Sequence, residues 1–225
     1  AVPLALAGTM RSNQLGQNVL TYSERLENAV WVKSNSTATS SAAIAPDGTM
    51  TASTVMDNGT NGVHNVKQSL SGTGARVVTF SVYAKQNTHR WVSVAGNNGG
   101  VANYFDLQNG VIGTGGGSTS GKEIKPVGNG WYRLSITFLS DQTYAVIYMA
   151  SADGTASYAG TGTEVYLWGA QVTAGDKARA YNPTVASAKN STFTPTGSVQ
   201  SNQLGQNLYL RSEQFDSASW AKASV

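Results

Sequence analysis

Residues 77–85 alternate strictly, with Val78, Phe80, Val82 and Ala84 on one side of an extended chain and Thr79, Ser81, Tyr83 and Lys85 on the other. A period of two marks a half-buried β-strand, because successive strand side chains point to opposite faces. Tyr132, Leu134, Ile136 and Phe138 repeat the pattern against Trp131, Arg133, Ser135 and Thr137. Further strands are predicted near 18–22, 30–36, 50–56, 63–70, 90–96, 101–107, 143–150 and 164–172. Between the segments stand Pro46-Asp47-Gly48, Asp57-Asn58-Gly59, Asn97-Asn98-Gly99-Gly100, Asn109-Gly110, Gly128-Asn129-Gly130 and Asp153-Gly154. These residue types reach positive φ at low cost and so close tight turns. About ten short strands at this spacing, with no sustained helical period, predict an all-β, jelly-roll-type antiparallel β-sandwich.

Composition agrees with that class and narrows the partners. Charged residues are 12% of the 225, about half the usual quarter, while small polar residues suited to turns are abundant. An apolar fraction of 40% can fill one core at this length. The net charge of +3 comes from 15 Lys and Arg against 12 Asp and Glu, scattered singly. No clustered basic footprint exists for displacing counterions from phosphates, so nucleic acid is not an expected partner. There are no cysteines, hence no disulfides or thiolate sites. No apolar run reaches the roughly 18 residues of a membrane helix, and a membrane is not an expected partner. Residues 113–121, rich in Gly and Ser, lack the Lys-Ser or Lys-Thr of a phosphate-cradling loop and are expected to be a flexible loop.

The two ends of the chain repeat each other. Ser12-Asn13-Gln14-Leu15-Gly16-Gln17-Asn18 recurs as Ser201-Asn202-Gln203-Leu204-Gly205-Gln206-Asn207, an offset of 189 residues. The same offset, without a gap, pairs Ser23-Glu24 with Ser212-Glu213, Leu26 with Phe215, Ala29 with Ala218, Trp31 with Trp220 and Lys33 with Lys222. The expected organisation is an N-terminal anchoring arm at 1–17, a sandwich module at 18–184, a linker at 185–200 and the beginning of a second repeat at 201–225. A strand or two cannot bury an apolar face alone, so a longer array is expected.

Several segments resemble the carbohydrate-binding-module-like domain of phage head-spike, head-fibre and tail proteins. They are Asn18-Val19-Leu20-Thr21-Tyr22-Ser23-Glu24 with Ala29-Val30-Trp31, Ala45-Pro46-Asp47-Gly48-Thr49, and Thr79-Phe80-Ser81-Val82-Tyr83-Ala84-Lys85. Val127-Gly128-Asn129-Gly130-Trp131-Tyr132-Arg133 and Leu167-Trp168-Gly169-Ala170-Gln171-Val172 follow, with Ala180-Tyr181-Asn182-Pro183-Thr184 as a terminal strap. One departure is Leu26, where that family has an aromatic residue and the second copy has Phe215. The resemblance implies a jelly roll displayed on the virion surface, as a capsid decoration or head fibre. It implies capsid or tail proteins as partners and a homo-oligomer, a trimer by fibre habit. The alternatives are a glycan-binding adhesin module of a tail fibre and an accessory module of a polysaccharide-degrading enzyme.

Chemistry-bearing residues are sparse. His64 and His89 sit in no nucleophile or metal motif and are expected to be structural. Asp47, Asp57 and Asp153 adjoin turns, where an Asp side chain bonds nearby backbone; Asp106 and Glu123 have neither a turn nor an evident partner. With no assembled constellation the chain is read as non-catalytic and free of cofactors. Its many Asp and Asn residues leave room for a structural calcium ion, with no ligands assigned. A surface glycan would use aromatic faces flanked by polar groups, and the candidates are Tyr83, Trp91, Tyr104 and Arg133.

Overall fold

The computed structural model describes residues 16–70, 76–96, 102–116, 119–139 and 144–186. The chain divides into two units, Ala1–Ser191 and Thr192–Val225, and every described residue lies in the first. The described residues form thirteen strands: β1 (Val32–Ser34), β2 (Ser36–Ala43), β3 (Ala52–Asp57), β4 (Asn61–Ser69), β5 (Val77–Gln86), β6 (Trp91–Ala95), β7 (Asn103–Asp106), β8 (Val111–Gly115), β9 (Ser120–Gly128), β10 (Trp131–Leu139), β11 (Tyr144–Ala150), β12 (Ser157–Ala159) and β13 (Glu164–Ala174). No helix occurs among the described residues.

All pairings are antiparallel and build two sheets. The seven-stranded sheet runs β1-β4-β11-β6-β7-β8, with β12 also on β4; the six-stranded sheet runs β2-β3-β13-β5-β10-β9. The predicted all-β sandwich is the observed fold. Its core lies where the alternation places it. In the six-stranded sheet Val82 faces Leu134, Phe80 faces Ile136 and Val78 faces Phe138 across the β5–β10 pair. In the other, Val66, Ile147 and Val94 form one cross-strand row. These side chains are buried in a single cluster with Leu20, Leu26, Trp31, Phe105 and Leu167, each large one contributing roughly 1.5–3 kcal/mol.

Four strands escaped the sequence reading, among them β2, whose half-exposed run of Ser, Thr and Ala shows no apolar alternation. The stretch 113–121, expected to be a flexible loop, instead contributes the end of β8 and the start of β9 in its described part. Both are exposed edge strands, so no apolar side had to alternate. Short β12 is missed for the same reason. Conversely, 18–22 is not a strand but a bridge followed by turns. The turn at 97–100, most of the arm and linker, and the second repeat lie outside the described residues.

The opening segment is locked in place by its own polar groups. Asn18 is wholly buried and its Nδ2 donates to the carbonyls of Ala170 (3.1 Å) and Asn182 (3.2 Å). Its Oδ1 accepts from the amides of Leu20 and Val172, both at 3.1 Å. Ser23 is likewise buried; its Oγ accepts from the Thr184 amide at 2.8 Å and meets the Tyr181 hydroxyl at 2.7 Å. Residues 18–26 therefore run between β13 and the strap at 179–186. They meet β13 at a bulge between Trp168 and Gln171, where Gly169 takes φ +61°, a conformation costly for any residue with a Cβ.

Candidate functional site

The four predicted glycan-binding residues do not form one site. Pairing places Trp168, Tyr83 and Arg133 in one row across β13, β5 and β10, with Tyr166, Lys85 and Trp131 in the next. All six face away from the core, on the outside of the six-stranded sheet, because they occupy the alternate positions to Val82, Ala84 and Leu134. Tyr181 of the strap lies over this face, with ring centroids 4.6 Å from Trp168 and 6.0 Å from Tyr83. Trp131 and Trp168 are buried, with Ala45 and Ala52 alongside, whereas Tyr83 and Tyr166 are half-buried. The face is thus a small second core with a partly open aromatic rim.

Arg133 ties the rim to the strap. Its Nη2 donates to Ser81 Oγ (3.0 Å) and to the Arg179 carbonyl (2.5 Å), and its guanidinium stands 5.3 Å from the centre of the Tyr83 ring. Beside this rim opens a cleft of about 300 Å³ lined by Glu24, Arg25, Ser40, Ser41 and Thr51, at the small end of the range for ligand sites. Two of its walls are held from behind by aromatic groups. Trp168 Nε1 donates to Thr51 Oγ1 at 2.9 Å, and the Tyr181 hydroxyl donates to Glu24 Oε1 at 3.0 Å. Burial, with the Glu24 carboxylate nearby, pushes the Tyr181 hydroxyl well above the usual phenol range, so it stays a donor at any physiological pH. The space arises because β2 and β3 lose register between Thr39 and Ala43, where Ser41 adopts φ +55°. Nothing in the residues 36–43 taken alone signals that bulge.

Trp91 and Tyr104 lie on the outside of the opposite, seven-stranded sheet, where Asn65, Tyr148, Ser93 and Tyr104 form one cross-strand row. Tyr104 and Tyr148 are buried, with Ala156 of the β11–β12 loop packed against Tyr148 and its neighbours. Trp91 is half-buried beside the Arg90 guanidinium, which stands 5.6 Å from its ring centre. Asn65 Oδ1 and Ser93 Oγ are buried without a hydrogen-bond partner among the described residues.

Asp106, which had no evident partner in the sequence, in fact receives Arg90 through Nε (2.8 Å) and Nη2 (2.6 Å). Those bonds, with others from the Gln108 and Asn109 amides, outweigh burial and hold its carboxyl down at about 2. Asp153 also departs from the turn reading, since it accepts from the amide and hydroxyl of Thr114 on β8. Asp47 follows it, capping Thr49.

His64 and His89 converge at one end of the sandwich, which spacing in the sequence did not reveal. Tyr158 lies between them, its ring 4.5 Å from His64 and 5.9 Å from His89. Its hydroxyl donates to Asp57 Oδ2 at 2.9 Å. Asp57 also accepts from the amides of Thr161, Gly162 and Thr163 and from the Thr163 hydroxyl, so it binds a distant loop rather than its own turn. Burial alone would raise this carboxyl, but those hydrogen bonds together keep it below the usual range. His64 places its Nδ1 2.7 Å from the Asn35 carbonyl and its Nε2 3.1 Å from the Tyr158 carbonyl, and its tautomer sets which of the two it donates to. His89 Nδ1 bonds Thr163 Oγ1 at 2.8 Å and lies 3.9 Å from Asp57. Desolvation outweighs the Asp57 charge and lowers the imidazole below its ordinary 6.5, so the approach to Asp57 joins a neutral ring to a carboxylate. Among the described residues no group of three or more His, Cys, Asp or Glu is placed to hold a metal ion, and no calcium ligands are assigned.

No family model matches the chain, and no curated protein matches it in sequence. Among solved structures it is similar to the enzymatically active domain of tailspike protein 4 of bacteriophage CBA120, at 15% identity and a TM-score of 0.39. The likeness covers 70% of this chain and 21% of that one. The expectation of a non-catalytic chain is corrected by this finding, since the neighbour is described as enzymatically active. A likeness this distant transfers neither a reaction nor a catalytic residue.

Proposed function

We propose that the chain is a display module of a phage virion surface protein, a capsid decoration or head fibre, attached through capsid or tail proteins as a symmetric homo-oligomer. One observation carries the reading. Segments whose order resembles that of phage head-spike and head-fibre modules meet at a single place, around the β13 bulge. Asn18 and Ser23 bond β13 and the strap there, and Tyr83, Trp131, Trp168 and Tyr181 pack together on the outward face beside it. Residues far apart in sequence thus share one structural task, which is what an ordered set of motifs encodes when it specifies a module. Immunogold labelling of intact particles with an antibody to this chain tests the proposal. Surface label at regular positions is expected, and absence of the chain from purified particles would overturn it.

A second reading, glycan recognition, is favoured by the polar cleft beside the aromatic rim, because sugars bind where hydroxyl-rich walls adjoin aromatic faces. A glycan array probed with the full chain and three variants decides it. Binding lost in Ser40→Trp, which fills the cleft, and kept in Trp91→Ala and Tyr104→Ala assigns the six-stranded face. The reverse pattern assigns the seven-stranded face. No binding at millimolar sugar removes the glycan reading and leaves the display role standing.

A further inference from the structure

An edge strand offers its outer backbone groups to any passing chain unless something guards it. Four edges of this sandwich are guarded. β9 bears Lys122, Glu123, Lys125 and Pro126, and β8 is a five-residue strand whose Thr114 amide is taken by Asp153. β1 and β12 are only three residues long. β2 differs from all of them. It is eight residues of Ser, Thr and Ala with no charge and no proline, and among the described residues it pairs only with β3. Its bulge begins after Thr39 and leaves 36–39 as a regular ladder.

The register shows which backbone groups are open. The Asn58 amide bonds the Asn35 carbonyl at 3.0 Å, whereas the Asp57 amide turns the other way, to the Thr163 carbonyl at 3.1 Å. Bonded and non-bonded pairs alternate along an antiparallel ladder. Thr37, opposite Met56, and Thr39, opposite Thr54, therefore direct their amides and carbonyls to β3. Ser36 and Ala38 direct theirs away from the sheet. The side chains divide as well: Ala38 packs against the core, while Thr37 and Thr39 are exposed.

We propose that β2 is a self-pairing edge, joined antiparallel to β2 of a second copy about a two-fold axis at Ala38. Its lack of charge selects that occupant. A charged strand would be matched by opposite charge on β2, whereas a neutral strand of small residues is matched by itself. Positions equidistant from the axis meet in such a pair, so Thr37 meets Thr39, Ser36 meets Ser40 and Ala38 meets Ala38. Facing threonines are a favourable cross-strand pair. The outward groups of Ala38 bond those of its copy, and two six-stranded sheets become one of twelve. The pairing rests on the homo-oligomer of the display reading and not on the virion, so absence of label from particles would leave it standing.

Sedimentation equilibrium of the full chain at micromolar concentration tests it, with two double variants at the exposed threonines. The parent is expected to be a dimer. Thr37→Lys with Thr39→Lys sets like charges opposite one another across the axis and should halve the mass. Thr37→Lys with Thr39→Glu sets unlike charges opposite one another and should restore the dimer. All three should share one far-ultraviolet circular dichroism spectrum, because β3 places only Met56 and Thr54 opposite these positions. A parent monomer or trimer would overturn the pairing. So would a double-lysine variant that keeps the parent mass, which would put the interface elsewhere and leave the homo-oligomer intact. A monomeric Lys and Glu variant would overturn the axis at Ala38, and the self-pairing edge with it.

Discussion

Tyr158 donates its hydroxyl to Asp57 while its ring separates His64 from His89, so a carboxylate and two imidazoles share one buried end of the sandwich. His89 is held neutral because the cost of desolvating its charged form exceeds what Asp57 returns. Its proton affinity is therefore lower folded than unfolded. The resulting stability is complete above the unfolded value near 6.5 and declines as pH falls below it toward the folded value, by at most about 1.4 kcal/mol per pH unit. The urea midpoint should fall between pH 7.5 and 5, and His89→Gln should flatten that fall. An unchanged slope in the variant would place the titration elsewhere.

A second acid window follows from the carboxylates. Asp57 and Asp106 both titrate below the ordinary 3.8 when folded, so each stabilises the fold above that value and loses its contribution as pH drops further. Asp106→Asn is expected to remove part of the loss between pH 4 and 2 while leaving the decline that His89 causes below 6.5 untouched. Circular dichroism across an acid titration separates the two.

The loop that grips Asp57 contains two glycines required for different reasons. A Cβ on Gly160 would overlap the Asn58 carbonyl oxygen and stand 2.8 Å from His64 Cε1, neither of which has room to withdraw. Gly162 has open space around it but sits at φ +78°, which costs a side-chain-bearing residue about 1–2 kcal/mol. Gly160→Ala should therefore lose about 3 kcal/mol and Gly162→Ala about half of that. Denaturant titration reads both, and the reverse order would contradict the geometry.

The sandwich was legible in the sequence because β5 and β10 turn apolar side chains to the core and carry polar ones such as Thr79, Ser81, Ser135 and Thr137, buried as they are, on the other face, so apolar residues alternate. Edge strands β8 and β9 stay largely exposed, with only Ile124 reaching the core, so Val111, Ile112, Ile124 and Val127 are spread among Gly, Lys and Thr without a pattern. Alternation also placed Tyr83 and Arg133 on an outward face. It could not show that Trp91 and Tyr104 face outward from the other sheet, because a strand's phase relative to a distant strand is set by tertiary pairing. The convergence of His64, His89 and Asp57 was hidden for the same reason, with Tyr158 and Thr163 supplied by segments about 100 residues from Asp57. The cleft depends on the β2 bulge, which small residues such as Ser40, Ser41 and Ala42 permit but do not announce.

Asn18 is the residue on which closure of the opening segment most depends, since one amide side chain serves four backbone groups. Asn18→Ala strands buried donors and acceptors, each costing about 1–3 kcal/mol where nothing else reaches it. A net loss of about 3 kcal/mol is expected, read as a lower melting temperature. Asn18→Asp should be nearly as damaging, because a carboxylate keeps the two accepted bonds but turns acceptor against acceptor at Ala170 and Asn182.

Gln171 does for the strap what Asn18 does for the opening segment, so its removal should uncouple the strap from the sheet without unfolding the core. It is wholly buried; its Nε2 donates to the carbonyls of Arg179 (3.3 Å) and Ala180 (3.2 Å), and its Oε1 accepts from the Asn182 amide at 2.7 Å. In Gln171→Ala those groups turn to solvent, and Tyr181 loses its hold over Trp168. Hydrogen exchange at the Asn182 amide should accelerate by at least about tenfold, the equivalent of one lost bond of about 1.4 kcal/mol, while amides in the β5–β10 ladder keep their protection. Trp168 should become more accessible to a fluorescence quencher in the same variant. Acceleration spread equally over β5 and β10 would mean that strap and core open as one unit, and the strap would then not be a separable element of the fold.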